Sequence, residues 1–187
     1  MAENITLADI GSEVCEPIGG IEGVLSWAKL SDFDTIVDPL DICGVDSATT
    51  FAELAEIPAP GHTMVTGKKL FKVNFTSETG SIKSTQIGPR KGRLFQNELV
   101  VKISGSEAEI LGFSRYIKNK DLVVFVTEFG SGRVRQFGSK RLGAWVESQE
   151  AIVAAEIEGE CSLTITIYDK QKWHAPVYLG TLDYTGV

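Results

Sequence analysis

The chain has 187 residues, of which 43% are apolar, and it carries a formal net charge of -7. This length predicts one domain with extensions, and the apolar content is enough for a hydrophobic core. The acidic balance argues against direct nucleic-acid recognition, because phosphate contacts require positive charge. No apolar segment approaches the length of a membrane span, and the first residues lack the basic region of a secretory signal.

The first third of the chain shows little periodicity. Glycines and a proline interrupt residues 1–20, which we interpret as an N-terminal arm that precedes a single β domain over residues 21–187. Residues 21–30 fit either a strand or a short helix, because a short apolar run is compatible with both. Residues 31–67 contain several prolines and glycines and no clear strand. Irregular segments of this length are usually functional or disordered, so we expect a long projecting loop that orders against a partner.

The remainder of the chain predicts a series of β-strands. Apolar runs and alternating patterns indicate strands over residues 70–76, 81–87, 94–103, 122–126, 133–138, 142–146, 152–157 and 161–168. Residues 175–180 predict an edge strand or a C-terminal arm, because Pro176 has no backbone N–H to donate. Glu158, Gly159 and Glu160 predict a hairpin turn. Strands at this spacing predict a mainly β fold, either a sandwich or a barrel.

One α-helix is expected beside the sheet, after the strand that ends at residue 103. Ser104, Gly105 and Ser106 predict a turn that also supplies the N-cap of the helix. Ala108, Leu111 and Ile117, with the pair Gly112 and Phe113, then form an apolar stripe at helical spacing.

Residues able to support catalysis or metal binding are sparse. His62 and His174 stand outside any metal-ligand spacing, and we interpret both as loop or interface residues. Cys15, Cys43 and Cys161 are far apart, which favours buried free thiols in a reducing compartment over a disulfide framework. The sequence contains no nucleophile or phosphate-binding motif. We therefore expect no enzyme activity, no cofactor and no metal.

The charge is distributed unevenly along the chain. Residues 1–60 contain 12 acidic side chains and one basic side chain, Lys29, whereas residues 61–187 contain 17 basic and 13 acidic side chains. An acidic region of one copy can therefore meet a basic region of a neighbouring copy. A solvated acidic surface without a partner is the alternative interpretation.

Several segments resemble the major tail proteins, or tail tube proteins, of phages. The resemblance covers residues 67–180 and includes GKKLF (67–71), GRLFQNEL (92–99), AEILGF (108–113), LVVFV (122–126), GRVRQFG (132–138), WVES (145–148) and APVYLG (175–180). It implies a β-sandwich with a flanking helix and a non-enzymatic structural protein of the virion tail, assembled in the host cytoplasm. Copies of such proteins form rings, commonly hexameric, which stack into a tube that DNA passes through without specific binding. Neighbouring tail or neck proteins are then further partners.

An assembling protein needs interfaces, and we expect these on the long loop and on exposed strands. The candidate ring or stacking residues are Asp38, Pro39, Phe51, Leu54, Pro58, Pro60, His62, Arg133, Arg135, Pro176 and Tyr178. The charge distribution also suggests an acidic lumen that repels DNA phosphates.

A different class of protein is the alternative, namely a monomeric ligand-binding β-sandwich such as a carbohydrate-binding module. In that case Trp27, Trp145 or Trp173 would stack on a sugar.

Overall fold

The computed structural model describes residues 19–155 and 159–186. The predicted N-terminal arm therefore lies outside the described residues, except for Gly19 and Gly20. In chain order the elements are β1 (Ile21–Lys29), a 3₁₀ turn (Leu30–Asp32), β2 (Phe33–Thr35), β3 (Glu56–Ile57), β4 (Thr63–Met64), β5 (Phe71–Asn74), β6 (Ser81–Ile87), β7 (Leu94–Ser104), α1 (Ala108–Ile117), β8 (Leu122–Glu128), β9 (Val134–Phe137), β10 (Trp145–Val153), β11 (Cys161–Gln171) and β12 (Val177–Tyr178).

Two sheets pack face to face. Within the described residues, one sheet has six strands in the order β3-β12-β9-β8-β1-β5, and the other has four strands in the order β10-β11-β7-β6. The main core lies between them, where Val124 and Phe137 of the larger sheet and Leu99 and Ile165 of the smaller sheet are at most 1% exposed. The mainly β fold with one flanking α-helix is confirmed, and the described strands form an open sandwich rather than a closed barrel.

Strand β8 lies in the interior of the six-stranded sheet, with both faces covered. Val124 and Val126 point into the main core, whereas Val123 and Phe125 belong to a second apolar cluster on the opposite face. All four side chains are at most 2% exposed. A strand that is buried on both faces requires apolar residues at successive positions, which explains the continuous run in the sequence.

The two ends of the segment 31–67 pack on the second cluster, which the sequence does not predict, whereas its middle part is exposed. Ile57 in β3 is fully buried, and Ile36 is 9% exposed in the same cluster. Strands β2 and β4 of this segment pair as a small separate sheet. Residues 40–53 form the most exposed part, with Val45 100% exposed. Ile36 and Ile57 are too far apart in sequence to produce a recognisable period, which explains why the sequence does not predict their burial.

Most strand predictions correspond closely to observed strands, including β6 and β7. Residues 142–146 and 152–157, predicted as separate strands, instead contribute to the single strand β10. A bulge between Val146 and Ser148 interrupts the alternation of inward and outward side chains. The sequence pattern therefore looks like two strands, although the strand itself is continuous. Residues 156–158, and with them part of the predicted hairpin turn, lie outside the described residues.

Residues 175–180 were expected at a sheet edge or in an arm, but β12 lies inside the six-stranded sheet. It pairs antiparallel with β9 and parallel with β3. Pro176 precedes the paired residues, and its carbonyl accepts the backbone N–H of Gln136 at 3.0 Å. The missing N–H of proline therefore leaves no unpaired position in the ladder.

The N-cap of the helix lies one residue beyond the predicted turn 104–106. Glu107 occupies the N-cap position, without a side-chain cap bond among the described residues. Ile110 and Ile117 pack on the main core, whereas Leu111 is 46% exposed and does not belong to the buried stripe. Phe113 also packs on this core, so Phe113 and Ile117 of the predicted stripe lie on the buried face, and Ile110 takes the place of Leu111 there.

Candidate assembly interface

The four-stranded sheet has two open edges. Strand β10, with nine residues, and strand β6, with seven, have no further strand partner among the residues that the structure describes. Most of β10 is exposed, and its last two residues, Ile152 and Val153, are 45% and 69% exposed. An open edge presents unpaired backbone N–H and C=O groups, which another strand can pair with.

The outward face of the same sheet is polar, and we refer to it as the polar face. Its residues alternate with the buried core positions of β7 and β11. They include hydroxyl and amide side chains together with both signs of charge, namely Ser81, Lys83, Thr85, Gln96, Glu98, Lys102, Glu150, Thr164, Thr166 and Lys170. Lys102 also forms a 2.5 Å ion pair with Glu160. The face therefore has mixed charge, and the acidic residues of the first third of the chain are not part of it.

The predicted interface residues fall into three groups by exposure. Three are buried, namely Pro39, Pro176 and Tyr178. Four are partly buried, namely Asp38, Leu54, His62 and Arg135. Four are exposed, namely Phe51, Pro58, Pro60 and Arg133. The exposed group is the part of this set that is accessible to another copy, and its role in assembly stays a prediction.

His62 connects the segment 31–67 to the six-stranded sheet through hydrogen bonds. Its Nδ1 accepts the backbone N–H of Val37 at 3.1 Å, so its Nε2–H donates to Oε1 of Gln136 at 2.6 Å. The backbone N–H of His62 donates to the hydroxyl of Tyr178 at 3.0 Å. Burial lowers the pKa of His62, although the bond to Gln136 acts in the opposite direction. The neutral ring can accept one of these hydrogen bonds and donate the other at the same time. His62 therefore stabilises the fold of its own domain.

Arg135 also has partners within the domain. Its guanidinium pairs with Glu128 at 2.5 Å and donates to the carbonyl of Ala175 at 3.0 Å. Burial raises the pKa of Glu128, but hydrogen bonds from Ser131 and Arg135 outweigh it, so the pKa is below its usual value. Asp38 accepts the backbone N–H of Lys140 at 3.3 Å, and burial raises its pKa. These pairs leave Arg133 as the exposed arginine of the β8–β9 hairpin.

A buried carboxylate connects the two sheets and was not found by sequence reasoning. Asp169 in β11 is 1% exposed; its Oδ1 accepts from Asn97 Nδ2 and its Oδ2 from the backbone N–H of Gly138, both at 2.7 Å. Burial raises the pKa of Asp169 to about 6, against the effect of the two hydrogen bonds. The alternating pattern of β11 gave no signal for it, because Asp169 occupies an inward position that the pattern assigns to apolar residues.

An apolar cleft of about 510 Å³ lies between the segment 40–55 and the end of β11. Phe95 and Trp173 line it together with Leu40, Ile42 and Leu54. The His174 ring stacks on Phe95 with centroids 4.0 Å apart. Of the three tryptophans considered for sugar stacking, Trp173 is the one beside this cleft.

Other functional chemistry has little support in the described part of the chain. No group of three or more His, Cys, Asp or Glu side chains is placed there to hold a metal ion. None of the helices in residues 19–155 and 159–186 is long and apolar enough to cross a membrane. Cys43 and Cys161 are free thiols, both partly buried, whereas Cys15 lies outside the described residues.

Comparisons with known proteins leave the family open. No protein-family model matches the chain. No curated protein matches it either. Among solved structures, a chain in the cryo-EM structure of the anti-feeding prophage (AFP) baseplate, 6-fold symmetrised, has 10% sequence identity and a TM-score of 0.39, and the match covers 87% of this chain and 99% of that chain. Values this low support no inference about the fold or role of this protein.

Proposed function

We propose that this protein is a non-enzymatic structural subunit that assembles with copies of itself into rings, in the manner of a phage tail tube protein. The rings, commonly hexameric in that family, would stack into a tube in the virion tail through which DNA passes. The observation that carries the proposal is the pair of long open edges on one sheet. The sequence resemblance of residues 67–180 to tail tube proteins supports the same role.

The chemistry of the β10 edge favours pairing between copies. Monomeric β proteins usually protect their edge strands with lysine, proline or a covering loop. Strand β10 contains neither lysine nor proline, and it ends in the exposed residues Ile152 and Val153. If β10 of one copy pairs with β6 of the next, the contact is head-to-tail, and such contacts close into rings when the rotation permits.

Joining the sheets in this way turns the polar face into a continuous wall. Lys83, Lys102 and Lys170 on that face are balanced by Glu98, Glu150 and Glu160, the last of which pairs with Lys102. A lumen lined by this face would have mixed charge rather than the acidic wall suggested by the charge distribution in the sequence. Hydroxyl and amide groups without a net positive field offer DNA no strong binding site, which suits free passage.

Electron microscopy of the purified full-length chain, together with size-exclusion chromatography, tests the proposal. We expect rings or tubes that form as the concentration rises. The variant Val153→Lys should suppress them, because a charged side chain at the edge opposes strand pairing. Phe129→Lys, at a residue that is 67% exposed in the β8–β9 turn, is the matched control and should assemble normally. A 20.3 kDa monomer at every concentration would contradict the proposal.

A monomeric ligand-binding module remains the second candidate, because Trp173 and Phe95 line a cleft of suitable size. Aromatic rings beside an apolar cleft are typical of carbohydrate and other small-ligand sites. This candidate predicts saturable binding of a glycan by a monomer, and loss of that binding in Trp173→Ala. Assembly without glycan binding would exclude it.

A further inference from the structure

We infer that a second contact joins neighbouring copies, in which the acidic loop of one copy docks on the aromatic patch of the next. The acidic loop is residues 40–53. The aromatic patch is Trp27, Phe71, Phe113 and Tyr116. The inference rests on the proposed function and assigns it a specific surface and a specific partner, a second copy of this chain.

The acidic loop is closed at its base and exposes apolar side chains along its length. The backbone N–H of Leu40 donates to the carbonyl of Glu53 at 3.3 Å, and that of Ala48 donates to the carbonyl of Asp41 at 2.9 Å. These bonds hold the loop in a defined shape, so little entropy remains to be lost on docking. Four apolar side chains are nevertheless exposed, namely Leu40 at 36%, Ile42 at 49%, Val45 at 100% and Phe51 at 38%.

The loop also carries charge of one sign. It contains three acidic residues and no lysine, arginine or histidine. Asp41 pairs with Lys172, and Glu53 accepts hydrogen bonds from Thr49 and Thr50. Asp46, beside Val45, has no ion-pair partner among the described residues. A partner surface for this loop should therefore be apolar with a basic margin.

The aromatic patch has those properties. The Trp27 ring contacts Phe71, Phe113 and Tyr116, with centroids 5.7, 5.3 and 6.3 Å away. Phe71 and Tyr116 are each 48% exposed, so two aromatic rings of one connected cluster face the solvent. Aromatic residues in an exposed cluster are typical of interface anchors.

Two lysines form the basic margin of the patch. Lys69 Nζ lies 5.9 Å from the centre of the Phe71 ring, and Lys120 Nζ lies 5.8 Å from that of Tyr116. Neither lysine has a carboxylate within ion-pair distance among the described residues. Both are therefore available to a carboxylate of another copy.

The two surfaces lie at opposite edges of the six-stranded sheet. The acidic loop leads directly into β3, and Phe71 belongs to β5, the strand at the other end of the order. Five strand spacings of roughly 4.8 Å separate these edges, about 24 Å in total. A contact within one copy is excluded at that distance, whereas a head-to-tail contact between copies joins the surfaces and has the geometry of a ring.

The four-stranded sheet also places the acidic loop and the aromatic patch on opposite sides of one copy. Ser114 of α1 donates to Gln149 of the open strand β10, so the patch lies on the β10 side of the domain. On the other side of the domain, β6 lies beside the β9–β12 part of the six-stranded sheet, because Ser84 of β6 lines one cleft together with Arg135 of β9 and Ala175. The acidic loop leads into β3, which pairs with β12. Pairing of β10 with β6 of the next copy thus brings the patch of one copy towards the loop of the other.

Site-specific cross-linking tests the inference. The full-length chain carrying Val45→p-benzoylphenylalanine is mixed with isotopically heavy chain, irradiated in the assembled state and digested for mass spectrometry. We expect light–heavy cross-links from position 45 to the peptides that contain β5 and α1. Cross-links to residues 1–18, to β10 or to no second copy would overturn the inference. If electron microscopy shows rings in that case, the proposed function stands without this contact, and if no assembly forms, both fail.

A charge-reversal pair supplies a second measurement. Lys120→Glu should raise the concentration for half-assembly about fivefold at low salt, with the effect fading near 1 M salt as the charges are screened. Arg90→Glu, at an exposed position in the β6–β7 turn, is the control that makes the same charge change outside the patch. It should change the concentration for half-assembly by less than about twofold. Equal effects of the two substitutions would show that net charge, and not the patch, governs assembly, and would overturn the inference.

Discussion

The buried carboxylate of Asp169 makes the stability of the domain depend on pH in a direction that can be calculated. Its pKa rises from the ordinary value of 3.8 to about 6 in the folded chain, because burial disfavours the charged form. An acid whose pKa is raised by folding binds its proton more tightly in the folded state. Its stabilising contribution is therefore complete below about pH 4 and is lost as the pH rises through about 6.

The size of this effect follows from the shift. One pKa unit corresponds to about 1.4 kcal/mol, so a change of roughly two units alters the free energy of unfolding by about 3 kcal/mol between pH 4 and pH 7.5. Asp169→Asn keeps the shape of the side chain and removes its titration. The difference in unfolding free energy between the wild type and Asp169→Asn should change by this amount over that pH range, in favour of the wild type at the acidic end.

Urea denaturation followed by fluorescence, at half-unit steps of pH, measures that difference for both chains. Subtracting the variant removes the contribution of other carboxylates. Glu53, Glu128 and Asp183, for example, have lowered pKa values and act in the opposite direction. A difference that stays constant within about 0.5 kcal/mol across the range would refute the assignment of Asp169 as a buried, desolvated carboxylate.

Further predictions concern the two apolar clusters. Val124→Asp, at a fully buried position, should prevent folding, because it places an unpaired charge in the core. Val153→Asp is the control at a position that is 69% exposed, and it should change the unfolding free energy by no more than about 0.5 kcal/mol. A folded Val124→Asp chain in circular dichroism would contradict the assignment of the core. For His62, an NMR titration should give a pKa below 6.5, and the Val37 amide should lose exchange protection when the ring is protonated, because Nδ1 can then no longer accept. A pKa at or above 6.5 would contradict the burial of His62. Tyr178→Phe should destabilise the domain by about 1 kcal/mol, since the N–H of His62 loses its acceptor, and urea denaturation that shows no change would contradict that bond.

Local patterns in the sequence were sufficient for most of the strands. In β7 the buried residues Leu99, Val101 and Ile103 alternate with more exposed ones, and this period of two is visible without any tertiary information. The run in β8 is equally clear, since burial on both faces leaves only apolar residues. The mainly β class and the flanking helix follow from such patterns.

Features that depend on contacts between distant residues could not be predicted in this way. His62 bonds to Gln136, which is 74 positions away, and Asn97 bonds to Asp169 across 72 positions. Nothing in the neighbourhood of any of these residues marks its partner. The burial of Ile36 and Ile57 in the segment 31–67 belongs to the same category, because it depends on a sheet face that only the folded chain presents.

The role of the predicted interface residues in assembly stays a prediction, but the structure separates those that have partners within the domain from those that are exposed. Sequence reasoning selected residues of the long loop and of β9 and β12, but the structure uses His62, Tyr178 and Arg135 within the domain. It did not single out the aromatic patch, since Trp27, Phe71 and Phe113 come from three separate elements and meet only after folding. A residue's exposure is a property of the fold, so it could not be assigned from residue type alone.

Amide hydrogen exchange of the full-length chain, measured at concentrations below and above assembly, tests the central claim most directly. The account predicts that backbone amides of β10 and β6 become protected together as the concentration rises, while those of the interior strands β7 and β11 stay unchanged. Exchange in β10 and β6 that is independent of concentration, in a sample that nevertheless forms particles, would contradict assembly through the edges of the four-stranded sheet.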